Sequence, residues 1–313
     1  MCSTNSIVHG LPYPIPPSCS IPQLLGQQVS LFSDREALVL FRGATRLTYR
    51  ELDKRSHIVA RSLLSLQIAK NDKVGIFMGN CETYAEMFLG IVRIGAVAVL
   101  LNGTYTAHEA IKALRVTVEN DSSSKWLSES YNCFLLRADT VDYSQLMRAE
   151  KNTTKDSLCC FLLTSGTTGS PKVAMLSHNG PRDSVDRKRY YLLSFPLFHC
   201  GGLVLGLIAC LSHGSCVVFP STIFNATAVS QCLAAEGCTG IVGSPTMFSL
   251  VLKARNLGAQ NLCPARLRTG LIGGSSYSKS LWHNIREEFG AENLVHAYGK
   301  WSLSHHRLDD AFD

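Results

Sequence analysis

Hydrophobic and polar positions along the chain follow two periods. Short apolar runs at Leu38 to Phe41, Val74 to Met78 and Val97 to Leu101 read as strands. Between the first two, Leu52, Val59, Leu63 and Leu66 recur at the spacing of one helical face. Thr48, with Glu51 three residues later, makes a capping box that opens that helix. Glu82 to Ile94 carries a second helical pattern, and Asn102-Gly103 ends the third run with a turn signal. Further on, Cys160 to Leu163, Leu192 to Phe195, Cys216 to Phe219, Gly240 to Val242 and Gly270 to Ile272 are brief apolar runs flanked by Gly, Pro or Ser, as buried strands are. Val229, Cys232 and Leu233 precede Gly237, and Leu281, Trp282, Ile285 and Phe289 precede Gly290; glycine suits the left-handed position just past a helix end. Alternating strands and helices predict an α/β fold of mostly parallel sheets covered by helices.

The same pattern divides the chain. Residues 1–36 read as an irregular N-terminal arm, because five of the eleven prolines fall in the first 30 positions. Residues 37–120 form a first α/β subdomain and 157–313 a second, joined by the polar, aperiodic stretch 121–156, a loop-rich connection. A length of 313 residues at 46% hydrophobic content excludes a disordered chain and a small disulfide scaffold. Lys+Arg 30 against Asp+Glu 24 gives a formal charge of +6, too diffuse for a nucleic-acid partner, and Arg187-Lys188-Arg189 reads as a solvated loop. Apolar runs such as Leu203 to Leu211 fall short of the roughly 20 residues that span a bilayer, so no membrane span is expected. The N-terminus lacks a basic and an apolar leader region and the final AFD is no peroxisomal tripeptide, which together predict an intracellular, cytoplasmic protein. Twelve cysteines at irregular spacing without C-x-x-C read as reduced, buried thiols. Cys159 and Cys160, neighbours on a strand, are expected on opposite faces, which argues against a metal site there.

The densest chemical signal is LLTSGTTGSPK at Leu162 to Lys172. An apolar strand runs into Thr164, Ser165, Gly166, Thr167, Thr168, Gly169 and Ser170, then Pro171 and Lys172. Glycines let the backbone fold tightly so that N–H groups converge on an anion, hydroxyls add donors, and the lysine supplies a compact charge for phosphate oxygens. Lys172 is followed by Val173, so the loop is not a Walker motif. In order along the chain stand LTYRELD at Leu47 to Asp53, GAVAVLLN at Gly95 to Asn102, the loop itself, PLFHCGG at Pro196 to Gly202, GSPTMF at Gly243 to Phe248, GLIGGSS at Gly270 to Ser276 and AYG at Ala297 to Gly299.

This ordered set resembles the adenylate-forming superfamily, and PLFHCGG with GSPTMF looks most like a fatty acyl-CoA synthetase. The resemblance implies the large N-terminal domain of the acyl-CoA synthetase/luciferase-like fold. It also implies ATP-dependent activation of a carboxylic acid, fatty or otherwise apolar, through an acyl adenylate to a CoA thioester, in lipid metabolism or a secondary-metabolite or toxin pathway. Carried over position by position, Thr164, Ser165, Gly166, Thr167, Thr168, Gly169 and Lys172 would hold the β- and γ-phosphates of ATP. Gly273, Gly274 and Ser275 would line the adenine and acyl region, and Tyr298 would stack on the adenine. His199 would stand near the reacting carboxylate as the catalytic residue, with Gly243 to Met247 as a pocket wall. Mg²⁺ would accompany ATP, and CoA would be the second substrate.

Four departures from the family pattern accompany the match. Tyr298-Gly299-Lys300 is followed by Trp301 and Ser302, where the family has a threonine and a Mg²⁺-coordinating glutamate. Val173, branched and averse to positive φ, replaces a glycine. Only 17 residues separate His178 from Pro196, where the family has an additional helix. The chain stops at Asp313, ahead of the small C-terminal lid and its catalytic lysine, so a lid domain is expected to be absent. These departures motivate an alternative: a catalytically silent, truncated remnant that binds nucleotide or acyl ligand without turnover.

Overall fold

The computed structural model describes residues 19–117, 129–164, 172–179, 190–258, 267–291 and 293–297. The chain enters through helix α1 (Ile21–Phe32), the hairpin β1 (Glu36–Leu40) and β2 (Thr45–Thr48), and helix α2 (Tyr49–Ser65). β3 (Lys73–Met78), α3 (Glu82–Arg93), β4 (Val97–Asn102) and α4 (Ala107–Arg115) follow, then the short helices α5 (Tyr131–Leu136) and α6 (Tyr143–Lys151). β5 (Leu158–Thr164), β6 (Lys172–Ser177) and β7 (Tyr190–Leu193) lead to α7 (Cys200–Gly202), which runs through a π-helical stretch, Leu203–Ile208, into α8 (Ala209–Ser212). β8 (Cys216–Phe219), α9 (Ala226–Ala235), β9 (Gly240–Gly243), α10 (Pro245–Gly258), β10 (Thr269–Gly273), α11 (Lys279–Phe289) and β11 (Asn293–Ala297) complete the described chain.

Local chemistry accounts for the helix ends. Thr48 and Glu51 form the capping box that starts α2, and Gly237 (φ +57°) and Gly290 (φ +62°) take the left-handed positions after α9 and α11. Of the expected irregular arm, residues 1–18 lie outside the described residues, and Ile21–Phe32 is the helix α1. Ser20 and Gln23 make a second capping box there, Pro22 sits in the first turn where its missing N–H costs nothing, and Ile21, Leu24 and Leu25 bury one face. The expected loop-rich connection likewise contains α5 and α6, which bury only Phe134 and Leu146, too few apolar positions to show as a period.

The strands form a seven-stranded sheet in the order β11-β10-β9-β7-β8-β1-β2 and a four-stranded sheet in the order β3-β4-β5-β6. Within the first, β7 to β11 and β1 run parallel, with β2 antiparallel at the edge; within the second, β3, β4 and β5 are parallel and β6 antiparallel. The expected division at 121–156 therefore does not separate the sheets. The N-terminal hairpin joins the sheet built mainly from the C-terminal half, and β5 and β6 return to the sheet begun by β3. Long-range pairing, which leaves no trace in local periodicity, decides this. One continuous core, including Leu38, Leu52, Phe88, Leu100, Leu203 and Phe219, fills the space between the sheets with α1, α2, α3 and the α7–α8 segment.

Cys159 and Cys160 correct a further expectation. Their sulfurs lie 3.7 Å apart, because the register with β6 shifts between Leu158 and Cys160 and this irregularity breaks the strict alternation of faces. The ten cysteines described are free, most of them buried. Among the described residues no group of three His, Cys, Asp or Glu is placed to hold a metal, and no helix is long and apolar enough to cross a membrane.

Candidate functional site

The parallel strands β7, β9, β10 and β11 end at one edge of the large sheet. The register sets Leu193 beside Val242, Ile272 beside Gly243, and Gly273 beside Ala297, so the segments after these strands lie side by side. Three strand spacings put β7 and β11 about 14 Å apart. Crevices outside the carboxyl ends of parallel strands are where open α/β sheets bind ligands.

Beyond β7 the chain turns through Ser194 to Phe198 and reaches His199, the N-cap of α7. His199 Nδ1 accepts a hydrogen bond from Gly201 N at 3.0 Å, which leaves the proton of the neutral ring on Nε2 as a donor. The ring stacks on Phe195, centroids 5.6 Å apart and planes at 18°. One edge stays exposed, while desolvation of the packed face holds the imidazole pKa below its ordinary value. His199 is therefore a neutral, oriented donor at neutral pH. The adjacent Cys200 thiol lies 3.6 Å from Nδ1, but burial pushes its pKa up to about 11 and Nδ1 is already engaged, so the pair is no thiolate nucleophile.

Packing leaves this turn little freedom. A Cβ on Gly202 would lie 2.1 Å from Pro196 O, and one on Gly201 would lie 2.9 Å from the Phe195 ring. The carboxamide of Asn80, in the turn between β3 and α3, spans the same loop. Its Nδ2 donates to Phe195 O at 3.0 Å, and its Oδ1 accepts from Leu197 N at 2.8 Å. Sequence reasoning did not single out Asn80; the only local signal is a Gly-Asn pair just past an apolar run, which by itself reads as a turn.

At the other strand ends, Gly243 leads into Ser244, whose Oγ accepts from Met247 N at 3.3 Å as α10 begins. Gly273 leads into Gly274 (φ +96°) and Ser275. A Cβ on Gly273 would collide with Ala297 O at 2.5 Å, whereas Gly274 has open space before it, so the backbone here is bare toward a ligand. On the small sheet, Thr164 ends β5 and pairs with Lys172, which opens β6; the two ends of the Ser/Thr/Gly loop are thus clamped as an antiparallel pair. Ser165, Gly166, Thr167, Thr168 and Gly169 lie outside the described residues, as do Tyr298, Trp301, Ser302 and most of the segment between His178 and Pro196. Val173 pairs with Leu163 in extended backbone and has no positive φ, so the valine there carries no strain.

The donor chemistry suits ATP better than it suits Mg²⁺. Bared backbone at Gly273–Gly274 and a clamped glycine-rich loop ending in lysine are groups that hold nucleotide and phosphate. A magnesium ion wants at least one carboxylate beside the phosphates. The element Tyr298 to Ser302 has none.

Comparison with known proteins agrees with this architecture. The profile of the AMP-binding enzyme family matches residues 25–300. Acyl-CoA ligase SID4 of Ajellomyces capsulatus is 31% identical over 340 residues, covering 94% of this chain and 57% of its own length. Acyl-CoA ligase sidI of Aspergillus fumigatus is 33% identical over 346 residues, covering 94% and 58%. The chain thus spans somewhat over half the length of these curated relatives. Among solved structures, the inhibitor-bound N-terminal domain of FACL13 from Mycobacterium tuberculosis superposes with a TM-score of 0.74 at 21% identity, covering 90% of this chain and 76% of that one. The N-terminal subdomain of NpsA from Klebsiella oxytoca, in complex with 3-hydroxyanthranilyl-AMSN, gives 0.73 at 19% identity, covering 89% and 72%. The fold is that of the N-terminal domain of acyl-CoA synthetases, and the chain belongs to the AMP-binding enzyme family.

Proposed function

We propose that this chain provides the nucleotide- and acyl-binding face of an acyl-CoA ligase that activates an apolar carboxylic acid. The observation that supports the proposal is that β7, β9, β10 and β11 end side by side at one sheet edge, so that the segments carrying His199, Gly243 and Gly273–Ser275 all leave from that edge. In the first step a carboxylate oxygen of the acid attacks the α-phosphorus of ATP, the bond to pyrophosphate breaks, and an acyl adenylate forms. In the second, the thiol sulfur of CoA attacks the acyl carbon, AMP departs, and the thiol proton passes to solvent. The residues of this chain bind and orient. His199 donates its Nε2–H to the substrate carboxylate and holds it for in-line attack. The loop from Thr164 to Lys172 takes the β- and γ-phosphates, Gly273, Gly274 and Ser275 seat the nucleoside with Tyr298 against the adenine, and the wall from Gly243 to Met247 faces the acyl group. The fungal relatives' names, acyl-CoA ligases, support the ligase reading, and lipid or secondary metabolism is the proposed setting. The free thiols suit a reducing, intracellular compartment.

A second reading is nucleotide or acyl-ligand binding without turnover, favoured by Ser302 at the position of the metal carboxylate. Purified chain incubated with ATP, Mg²⁺, hydroxylamine and carboxylic acids of graded chain length separates the two. Hydroxamate formation supports the ligase, whereas ATP binding with no trapped adenylate supports the silent binder. In either case Lys172→Ala should weaken ATP binding by about tenfold or more, the scale of one charge-assisted contact. Equal ATP affinity in wild type and Lys172→Ala would remove the loop from the site.

A further inference from the structure

We infer that Asn80 is a positioning residue: its carboxamide joins the active edges of the two sheets and sets where Phe195 and His199 stand. The inference rests on the reading of the site above and deepens it. Asn80 follows β3, whose last residue, Met78, is level with Asn102 at the end of β4. Since Leu100 is level with Leu162, Asn102 is in turn level with Thr164, where the phosphate loop leaves β5. On the other side Asn80 touches the loop that follows β7. The residue therefore stands where the carboxyl ends of both sheets meet, and the phosphate and acyl halves of the site come from those two sheets.

The chemistry of the contact explains why an asparagine is there. Asn80 is 5% exposed and uses its N–H toward Thr222 O at 2.8 Å as well as both ends of its side chain. Phe195 O and Leu197 N flank Pro196, which has no N–H with which the loop could tie itself down. One planar group with a donor and an acceptor satisfies both, and without it two peptide groups of the loop lose their partners. From Leu197 the constraint reaches His199 directly, because His199 N donates to Pro196 O at 3.1 Å and Phe195 forms the floor under its ring. Close approach completes the joint. A Cβ on Gly79 would lie 2.6 Å from Thr222 O, and one on Gly103 2.8 Å from Met78 C.

Asn80→Ala and Asn80→Asp test the assignment. A hydrolysis-resistant acyl sulfamoyl adenosine and ATP are titrated into the full chain, while amide exchange over residues 195–203 and the His199 ring titration are followed. For Asn80→Ala, analogue affinity should fall about tenfold or more with ATP affinity changed less than about twofold, because a shift of about 1 Å at an orienting group weighs heavily and the phosphate loop is untouched. Exchange should rise in 195–203 and not in α11. Asn80→Asp keeps the acceptor for Leu197 N but sets a carboxylate oxygen against Phe195 O. Its analogue affinity should therefore recover as the pH falls and the protonated acid donates again. Wild type that binds no analogue would overturn the functional reading. Positioning would then stand or fall on exchange and on the His199 titration, which Asn80→Ala should move toward the ordinary imidazole value. Unchanged exchange and titration, or equal losses of both ligands with exchange raised throughout, would overturn it.

Discussion

Gly202→Ala probes the tightest backbone approach in the β7–α7 turn. The added methyl would lie 2.1 Å from Pro196 O, 2.5 Å from Pro196 C and 3.0 Å from Leu197 N. All three are backbone atoms, so no side-chain rotation relieves the contact. Non-bonded carbons prefer about 3.5–4.0 Å, so α7 and the loop must part by roughly 1 Å. Overpacking of this kind costs about 1–3 kcal/mol. A chain of 313 residues unfolds with an entropy near 0.65 kcal/mol/K, at about 2.1 cal/mol/K per residue, so the melting temperature should fall by about 2–5 °C. Gly26→Ala is the internal control. Gly26 lies inside α1 with nothing within 4 Å of the new Cβ, so alanine there should gain about 0.5–1 kcal/mol and raise the melting temperature by about 1 °C. Scanning calorimetry at one protein concentration and scan rate measures both. Because the same displacement moves His199, Gly202→Ala should also weaken the acyl sulfamoyl adenosine, and Gly26→Ala should not. A Gly202→Ala protein that melts at or above wild type would show that the turn is not braced against α7, and the account of how His199 is held would fail.

Arg93 is 2% exposed in its side chain and serves Asp53, Glu150 at 2.7 Å and Ser56 at 2.9 Å, tying α2, α3 and α6 together. Arg93→Met leaves two largely buried carboxylates without their counter-charge and should cost about 3–5 kcal/mol near neutral pH. Burial already holds the Glu150 carboxyl above its ordinary value. A folded pKa above the unfolded one adds stability at low pH that is lost as pH rises, so the variant's deficit should shrink from about pH 7.5 to about pH 5; a constant deficit in urea melts would mean that lost packing, not charge, is responsible. For His199 the sign is opposite, because its folded pKa lies below the unfolded value. It should be more than half neutral by ring NMR at pH about 6.5, and any stability it contributes should be lost as pH falls below that point; a ring half-protonated at or above about pH 6.5 would contradict the stacked, desolvated geometry.

Much of this protein is legible from local pattern. Apolar runs at Leu38, Val74, Val97, Cys216 and Gly240 are strands, and the boundaries signalled by Thr48–Glu51, Gly237 and Gly290 are real helix ends. The strands that escape notice are β2, β6 and β11, whose sequences TRLT, KVAMLS and NLVHA mix polar and apolar residues. Each sits at a sheet edge, where one side is open and burial does not demand a continuous apolar run. The candidate chemistry was also local: a glycine-rich turn with a lysine, and a histidine beside an aromatic, are chemical statements wherever they fall.

By itself, then, the sequence determined the buried strands, several helix boundaries and the family, because period, cap and motif act over a few residues. The tertiary structure alone decided which strands share a sheet, that Cys159 and Cys160 turn their sulfurs toward each other, that Val173 is unstrained, which nitrogen of His199 carries the proton, and that Asn80 reaches 115 residues along the chain to Phe195. Those outcomes depend on register and on close approaches between distant segments, set by how the two sheets close over a common core and not by any short stretch of residues.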